Sequence, residues 1–192
     1  MSERYSEVLP PDLHSAPALQ EVAVRESVRL TPLSEDHAEP LLETLSADPS
    51  IRDRVAVASK IHTKEDVQKE IERYHNDPAL IRYSLFVEQQ YAGLVSLWND
   101  DGMFGMPPDP TAFGFGYFLN PDYRGKGLVT DSIKALMEAT QKNFKVTQFI
   151  AFCEDDNRDS IKLLKKMGFD PEGEVLPDEK SGWIARKYIA KI

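Results

Sequence analysis

One segment narrows the folds open to this chain more than any other. Residues 113–130 read Phe-Gly-Phe-Gly-Tyr-Phe-Leu-Asn-Pro-Asp-Tyr-Arg-Gly-Lys-Gly-Leu-Val-Thr. The aromatic first half reads as a strand, the second as a tight glycine turn that opens a helix. A helix N-terminus offers unpaired backbone N–H groups and a partial positive charge. Gly125 and Gly127 remove the side chains that would keep an anion away from those groups. Arg124 and Lys126 bring full positive charge to the same place. Strand, turn and helix in this order imply an α/β fold, and the turn is a cradle for phosphate or pyrophosphate.

Two familiar phosphate binders are excluded. No Gly-x-x-x-x-Gly-Lys-Ser/Thr string occurs, and Gly125-Lys126-Gly127 is followed by Thr130 where a dinucleotide fingerprint needs glycine. What remains is Arg124-x-x-Gly127-x-Val129. It resembles the Arg/Gln-x-x-Gly-x-Gly/Ala motif of the GNAT N-acetyltransferases, which bind the pyrophosphate of acetyl-CoA; Val129 stands where a small residue is usual. Taken without the rest of the chain, the same residues also suit a basic turn with a helix-capping glycine.

A second segment adds to the resemblance. The apolar run 149–153 leads into Asp155, Asp156, Asn157, Ser160 and a helix closing at Gly168-Phe169. Asp155, Asp156 and Asn157 all suit a helix N-cap, and Gly168 suits a left-handed C′ position. In the GNAT family this is a strand, a loop, and a helix opening at Asn and closing at Gly-Phe. Ile161, Leu164 and Met167 share one face, which a plain core helix also explains. The segment 28–42 is similar to the first strand and helix of the RimJ/RimL-like branch, whose members acetylate protein N-terminal α-amines. The resemblance spans about Arg25 to Ile189 and is weakest between Pro49 and Leu80.

Composition bounds the alternatives. The 192 residues suit one domain with a single substantial core, and 41% hydrophobic with 29% charged residues is the make-up of a soluble protein. A formal net charge of −9 argues against nucleic acid as the main partner. It suits cationic acceptors such as amines by weak steering. One cysteine, Cys153, excludes an intramolecular disulfide, and its apolar strand suggests a buried, inert thiol. His14, His37, His62 and His75 lack ligand spacing, so no metal is expected. No apolar stretch approaches the ~20 residues of a membrane span, and no signal peptide is evident. A cytoplasmic monomer or homodimer is the expectation.

Along the chain, residues 1–24 carry Pro10, Pro11 and Pro17 and read as an N-terminal arm, flexible or laid on the surface; residues 25–192 form the domain. Val24–Leu33 reads as one strand. Ser34 caps a helix with Ala38, Leu41, Leu42 and Leu45 as its buried stripe, and Thr63 caps another bearing Val67, Glu70, Ile71 and Tyr74. Residues 82–88 and 91–98 form a hairpin across Gln89-Gln90. The loop from Asn99 to Thr111, with Met103, Phe104 and Met106 among prolines and glycines, suits an acceptor-site wall, a subunit contact, or a loop folded onto the core. Strand 112–119, helix 128–144, strand 147–153, helix 157–167 and two closing strands follow. Pattern alone gives α/β with a mixed sheet. The family resemblance implies a single-domain acyl-CoA N-acyltransferase fold with a mostly antiparallel sheet of about six or seven strands and about four helices.

The resemblance also implies roles. Acetyl-CoA would be the cosubstrate, its pyrophosphate on Arg124, Gly125, Lys126, Gly127, Leu128, Val129 and Thr130, and its pantetheine arm against Asn157. Backbone N–H groups near Phe118 and Leu119 would polarise the thioester carbonyl, with Gly114 and Gly116 compatible with a bulge in that strand. Many relatives protonate the leaving thiolate with a tyrosine, but Leu164 occupies that position; Ser160 matches the serine RimL-like enzymes use instead, or it bonds its own helix turn. The strand glutamate that many relatives use as base is replaced by Gly114. A gapless carry-over places the RimL-like base on Glu179, which also reads as an exposed turn residue. Three functions stay open: acetylation of a protein N-terminus, acetylation of a small amine, or an acetyl-CoA-binding module without catalysis.

Overall fold

A computed structural model describes residues 11–100, 108–177 and 184–192. Its strands are β1 Val22–Arg25, β2 Val28–Pro32, β3 Leu80–Val87, β4 Gln90–Asp100, β5 Asp109–Leu119, β6 Gln148–Cys153, β7 Asp170–Pro177 and β8 Ile184–Lys191. They form one sheet in the order β1-β2-β3-β4-β5-β6-β8-β7. Every neighbouring pair is antiparallel except β5 with β6. The α-helices are α1 Ala38–Ala47, α2 Ser50–Arg54, α3 Lys64–His75, α4 Leu128–Asn143 and α5 Arg158–Lys166. This is the expected α/β architecture with one more strand and one more helix. The extra strand arises because residues 22–32 are a hairpin, not one strand. Ser27 turns it at φ 63, a left-handed conformation that its sequence does not advertise. The extra helix is α2.

Strand alternation divides the core between two faces of the sheet. On one face Val95, Leu97, Phe113 and Phe115 pack with Leu128, Ile133 and Leu136 of α4. On the other, Leu94 and Phe118 pack with Leu41 and Leu45 of α1 and Val67, Ile71 and Tyr74 of α3. Thr63 caps α3 as expected: its hydroxyl accepts from the Asp66 N–H at 3.2 Å, and the Asp66 carboxylate accepts from the Thr63 N–H at 3.1 Å. The β3–β4 turn falls on Glu88-Gln89, one residue earlier than its sequence suggests, with Glu88 at φ 57.

Residues 11–24 do not form a flexible arm. Leu13 and Leu19 are fully buried in the α4-side core, the Leu13 N–H donates to the Pro78 carbonyl at 2.8 Å, and the Tyr83 hydroxyl donates to the Leu19 carbonyl at 2.9 Å. Pro17 opens a short 3-10 turn, where its fixed φ shapes the chain and costs no hydrogen bond.

What positions a site is the parallel pair. The β5–β6 ladder consists of Ala112↔Gln148, Phe113↔Phe149 and Gly114↔Ile150, and it stops there. Outside it, β4 follows β5 to Leu119 and β8 follows β6 to Cys153. The C-terminal ends of β5 and β6 therefore part, leaving an opening between residues 115–119 and 151–153. Open α/β sheets bind ligands at such carboxyl-end crevices.

Candidate active site

The opening has a defined polarity. The Asn120 N–H donates to the Ala92 carbonyl at 2.9 Å, and residues alternate in direction along a strand. Phe118 therefore turns its peptide N–H toward β4, whereas Leu119 and Tyr117 turn theirs into the opening. Of the two donors expected, the Leu119 N–H faces the opening and the Phe118 N–H does not; the Tyr117 N–H faces it too. No bulge is needed, because β5 stays in unbroken register with β4 from Phe113 to Leu119.

Immediately after β5 comes the glycine turn. Gly125 and Gly127 lie at φ 73 and φ 76, left-handed values that would strain any other residue. A Cβ on Gly125 would meet no atom within 4 Å, so the space above the turn is open. Gly127 is the N-cap of α4, whose first N–H groups, on Leu128, Val129 and Thr130, have no carbonyl within the helix to receive them. Among the described residues, none of the N–H groups from Gly125 to Thr130 donates to a backbone carbonyl outside the helix. The Val129 side chain is buried in the core, so its departure from a small residue does not crowd the anion side. These features fit a pyrophosphate.

The two cations of the turn are not simply aimed at that space. Arg124 donates through Nη2 to Asp48 Oδ2 at 2.5 Å and to the Leu119 carbonyl at 3.1 Å. The Lys126 ammonium lies over the Tyr123 ring, 5.1 Å from its centroid. From β1, Arg25 braces the turn, bonding Asp131 at 2.6 Å and the Lys126 carbonyl at 3.2 Å.

Across the opening, Asn157 caps α5, its Oδ1 accepting from the Ser160 N–H at 3.3 Å. This leaves the amide nitrogen of Asn157 for a ligand. Behind Ser160 stands a residue the sequence reading missed, Tyr117. Its hydroxyl is buried and, among the described residues, makes no hydrogen bond within 3.5 Å. Burial pushes this phenol up to about 12, against the pull of the nearby Ser160 hydroxyl. Tyr117 thus stays protonated near neutrality. Its place beside Phe113 and Phe115 in the strand alternation puts it on the α4 face, but nothing in the sequence tells which side chain α5 brings to it. Cys153 is buried and inert as expected: burial, then the neighbouring Glu154 and Asp155, push its thiol up to about 12. Leu164 is an ordinary core residue.

On the α1–α3 face, Gly114 and Gly116 make a slot for the Trp98 indole. A Cβ on Gly114 would fall 2.2 Å from Trp98 Cε2, and one on Gly116 would fall 3.4 Å from Cζ3. Where many relatives carry a glutamate, this chain has an indole ring, whose Nε1–H is buried without a partner among the described residues. Beside it, Arg82 is buried with Glu70, to which it bonds, and it donates to Ser96 Oγ at 2.7 Å. Glu179 and residues 101–107 of the Asn99–Thr111 loop lie outside the described residues. Among the described residues, no group of three or more His, Cys, Asp or Glu side chains could hold a metal ion, and no helix is long and apolar enough to cross a membrane.

Comparison with known proteins agrees with this geometry. Residues 27–170 match the family model "Acetyltransferase (GNAT) domain". The ribosomal-protein-serine acetyltransferase of Escherichia coli is 22% identical over 156 residues, covering 79% of this chain and 84% of its own. Among solved structures, a RimL ribosomal α-N-protein acetyltransferase in complex with coenzyme A superposes with a TM-score of 0.75 at 19% identity, over 90% of this chain and 98% of that one. A microcin self-immunity acetyltransferase in complex with acetyl-CoA and AMP gives 0.72 at 21% identity, over 88% and 94%. At such identities the structural likenesses show the fold, and the family match carries the activity. The chain belongs to the GNAT family and is an N-acetyltransferase.

Proposed function

We propose that this enzyme moves the acetyl group of acetyl-CoA directly to a peptide N-terminal α-amine. The observation that carries the reading is the parted β5–β6 pair, with the glycine cradle at one lip and Asn157 and Ser160 at the other. The turn's N–H groups, Gly125 to Thr130, would receive the pyrophosphate, and the Asn157 amide nitrogen the pantetheine arm. The Leu119 N–H, with that of Tyr117, points where negative charge grows on the thioester oxygen. Ser160 would protonate the departing thiolate, with the un-ionised Tyr117 phenol behind it as a reserve of protons. Cys153, protonated and buried, is unsuited to a covalent acetyl intermediate.

The choice of acceptor rests on the base. With Trp98 over Gly114, no carboxylate occupies the strand position that would strip a strongly basic amine. An α-amine, near pKa ~8, needs far less help than a lysine near ~10.4. Glu179, acting through water, is the base we assign. The similarity to the ribosomal-protein-serine acetyltransferase supports the same acceptor class; the likeness to the microcin self-immunity enzyme motivates the second reading, a small amine. Acetyl-CoA consumption separates them. Lysine-free peptides with open N-termini should turn over well, N-terminally blocked lysine peptides poorly. Preference for free small amines overturns the peptide reading, and no turnover with any amine overturns the assigned mechanism.

A further inference from the structure

The short helix α2 is tied at both ends, and the ties land on opposite lips of the opening. At its N-terminus, Asp48 uses one oxygen for each of two tasks. Oδ1 accepts from the Ser50 N–H at 3.1 Å and from the Ser50 hydroxyl at 2.5 Å, which starts the helix. Oδ2 holds Arg124 of the glycine turn, on the β5 side. At the other end, Arg54 donates to Asp156 Oδ1 at 3.0 Å and to Glu154 Oε2 at 3.4 Å, in the loop that joins β6 to Asn157. The Asp48 carboxyl is held below the usual carboxylate range, first by Ser50 and then by Arg124. Exposed ion pairs of this kind add little stability, so their consequence is placement.

Placement is specific for Arg124. Both of its described contacts, to Asp48 and to the Leu119 carbonyl, use Nη2. Nε and Nη1 are left to meet a phosphate, and a guanidinium whose one end is fixed loses less freedom on binding. We propose that Asp48 is a positioning residue of the transfer. It aims Arg124 at the cofactor pyrophosphate, and through the same contact it fastens α2 across the opening as the wall on the acceptor side. This rests on the acetyl-CoA reading above. Cofactor binding then steadies α2, and by linkage a steady α2 strengthens cofactor binding.

Hydrogen exchange of the full chain, with and without CoA, tests the proposal in the wild type, Asp48→Asn and Arg54→Gln. Asparagine keeps the helix-starting acceptor and removes only the charge. In the wild type CoA should slow exchange both in residues 124–130 and in residues 50–57. In Asp48→Asn the protection of 124–130 should persist, that of 50–57 should vanish, and CoA should bind about 2- to 5-fold more weakly, the size of one exposed charge pair. Arg54→Gln should loosen 50–57 and, through the linkage alone, weaken CoA binding less than Asp48→Asn does. Undiminished protection of 50–57 in Asp48→Asn overturns the proposal, as does its absence in the wild type while 124–130 is protected. If CoA fails to protect 124–130 in the wild type, the cofactor reading falls first and takes this proposal with it.

Discussion

The glycine turn after β5 and the α1–α3 face beneath Trp98 flank the same opening, yet they are made of different material. The turn works with backbone: Gly125 and Gly127 at positive φ, and a row of N–H groups that ends in α4. The α1–α3 face works with side chains, an indole over two glycines and a buried Arg82–Glu70 pair. A backbone site binds what every acetyl-CoA shares and tolerates change in most of its side chains. A wall of side chains would distinguish one acceptor from another, and it changes with every substitution.

The largest effect is expected where a side chain intrudes on the backbone site. Gly127→Glu adds left-handed strain of ~1–2 kcal/mol and a carboxylate among the phosphate donors. The kcat/KM for acetyl-CoA should fall about 1,000-fold, equivalent to about 4 kcal/mol, while the thermal midpoint moves by only a few degrees. Ser160→Ala comes next. It should lower kcat about 10- to 100-fold, because water partly substitutes for the acid, and leave the KM for acetyl-CoA nearly unmoved. Full activity would remove Ser160 from the mechanism without touching the direct route.

Smaller effects sharpen the acceptor side. Gly114→Ala forces a methyl against the indole and should cost about 1–3 kcal/mol of stability by overpacking, read from urea unfolding. Adding Trp98→Phe should recover much of that loss, because the smaller ring vacates the slot; strict additivity would mean the clash is not the cause. Alkali should act on both faces together. Burial raises the phenols of Tyr83 on the α4 face and Tyr91 on the α1–α3 face, and Tyr117 to about 12. The folded state then holds protons that the unfolded state releases from about pH 10. Stability is fully present below that value and should decline above it, with fluorescence and circular dichroism falling together.

Legibility in the sequence followed the same division. Gly125, Gly127, Asn157 and Gly168 announce themselves because caps and left-handed turns demand particular residues, and they carried both the fold and the geometry of the glycine turn. The hairpin at Ser27 and the turn at Glu88 were misread because residues without a left-handed preference occupy those conformations. The packing of residues 11–24 was not legible because prolines hid Leu13 and Leu19, whose burial depends on a surface assembled by distant β3 and α4. The orientation of Phe118 and the meeting of Trp98 with Gly114 both depend on strand register, which no local pattern records. Tyr117 and Ser160 lie far apart in sequence and meet only when α5 docks beside β6.

The contrast between backbone and side-chain sites is tested most directly by calorimetric titration of CoA into Gly127→Glu and Trp98→Phe side by side. Gly127→Glu should give no measurable heat of binding while remaining folded, and Trp98→Phe should bind CoA as the wild type does. Wild-type affinity in Gly127→Glu, or equal losses in the two variants, would contradict the account.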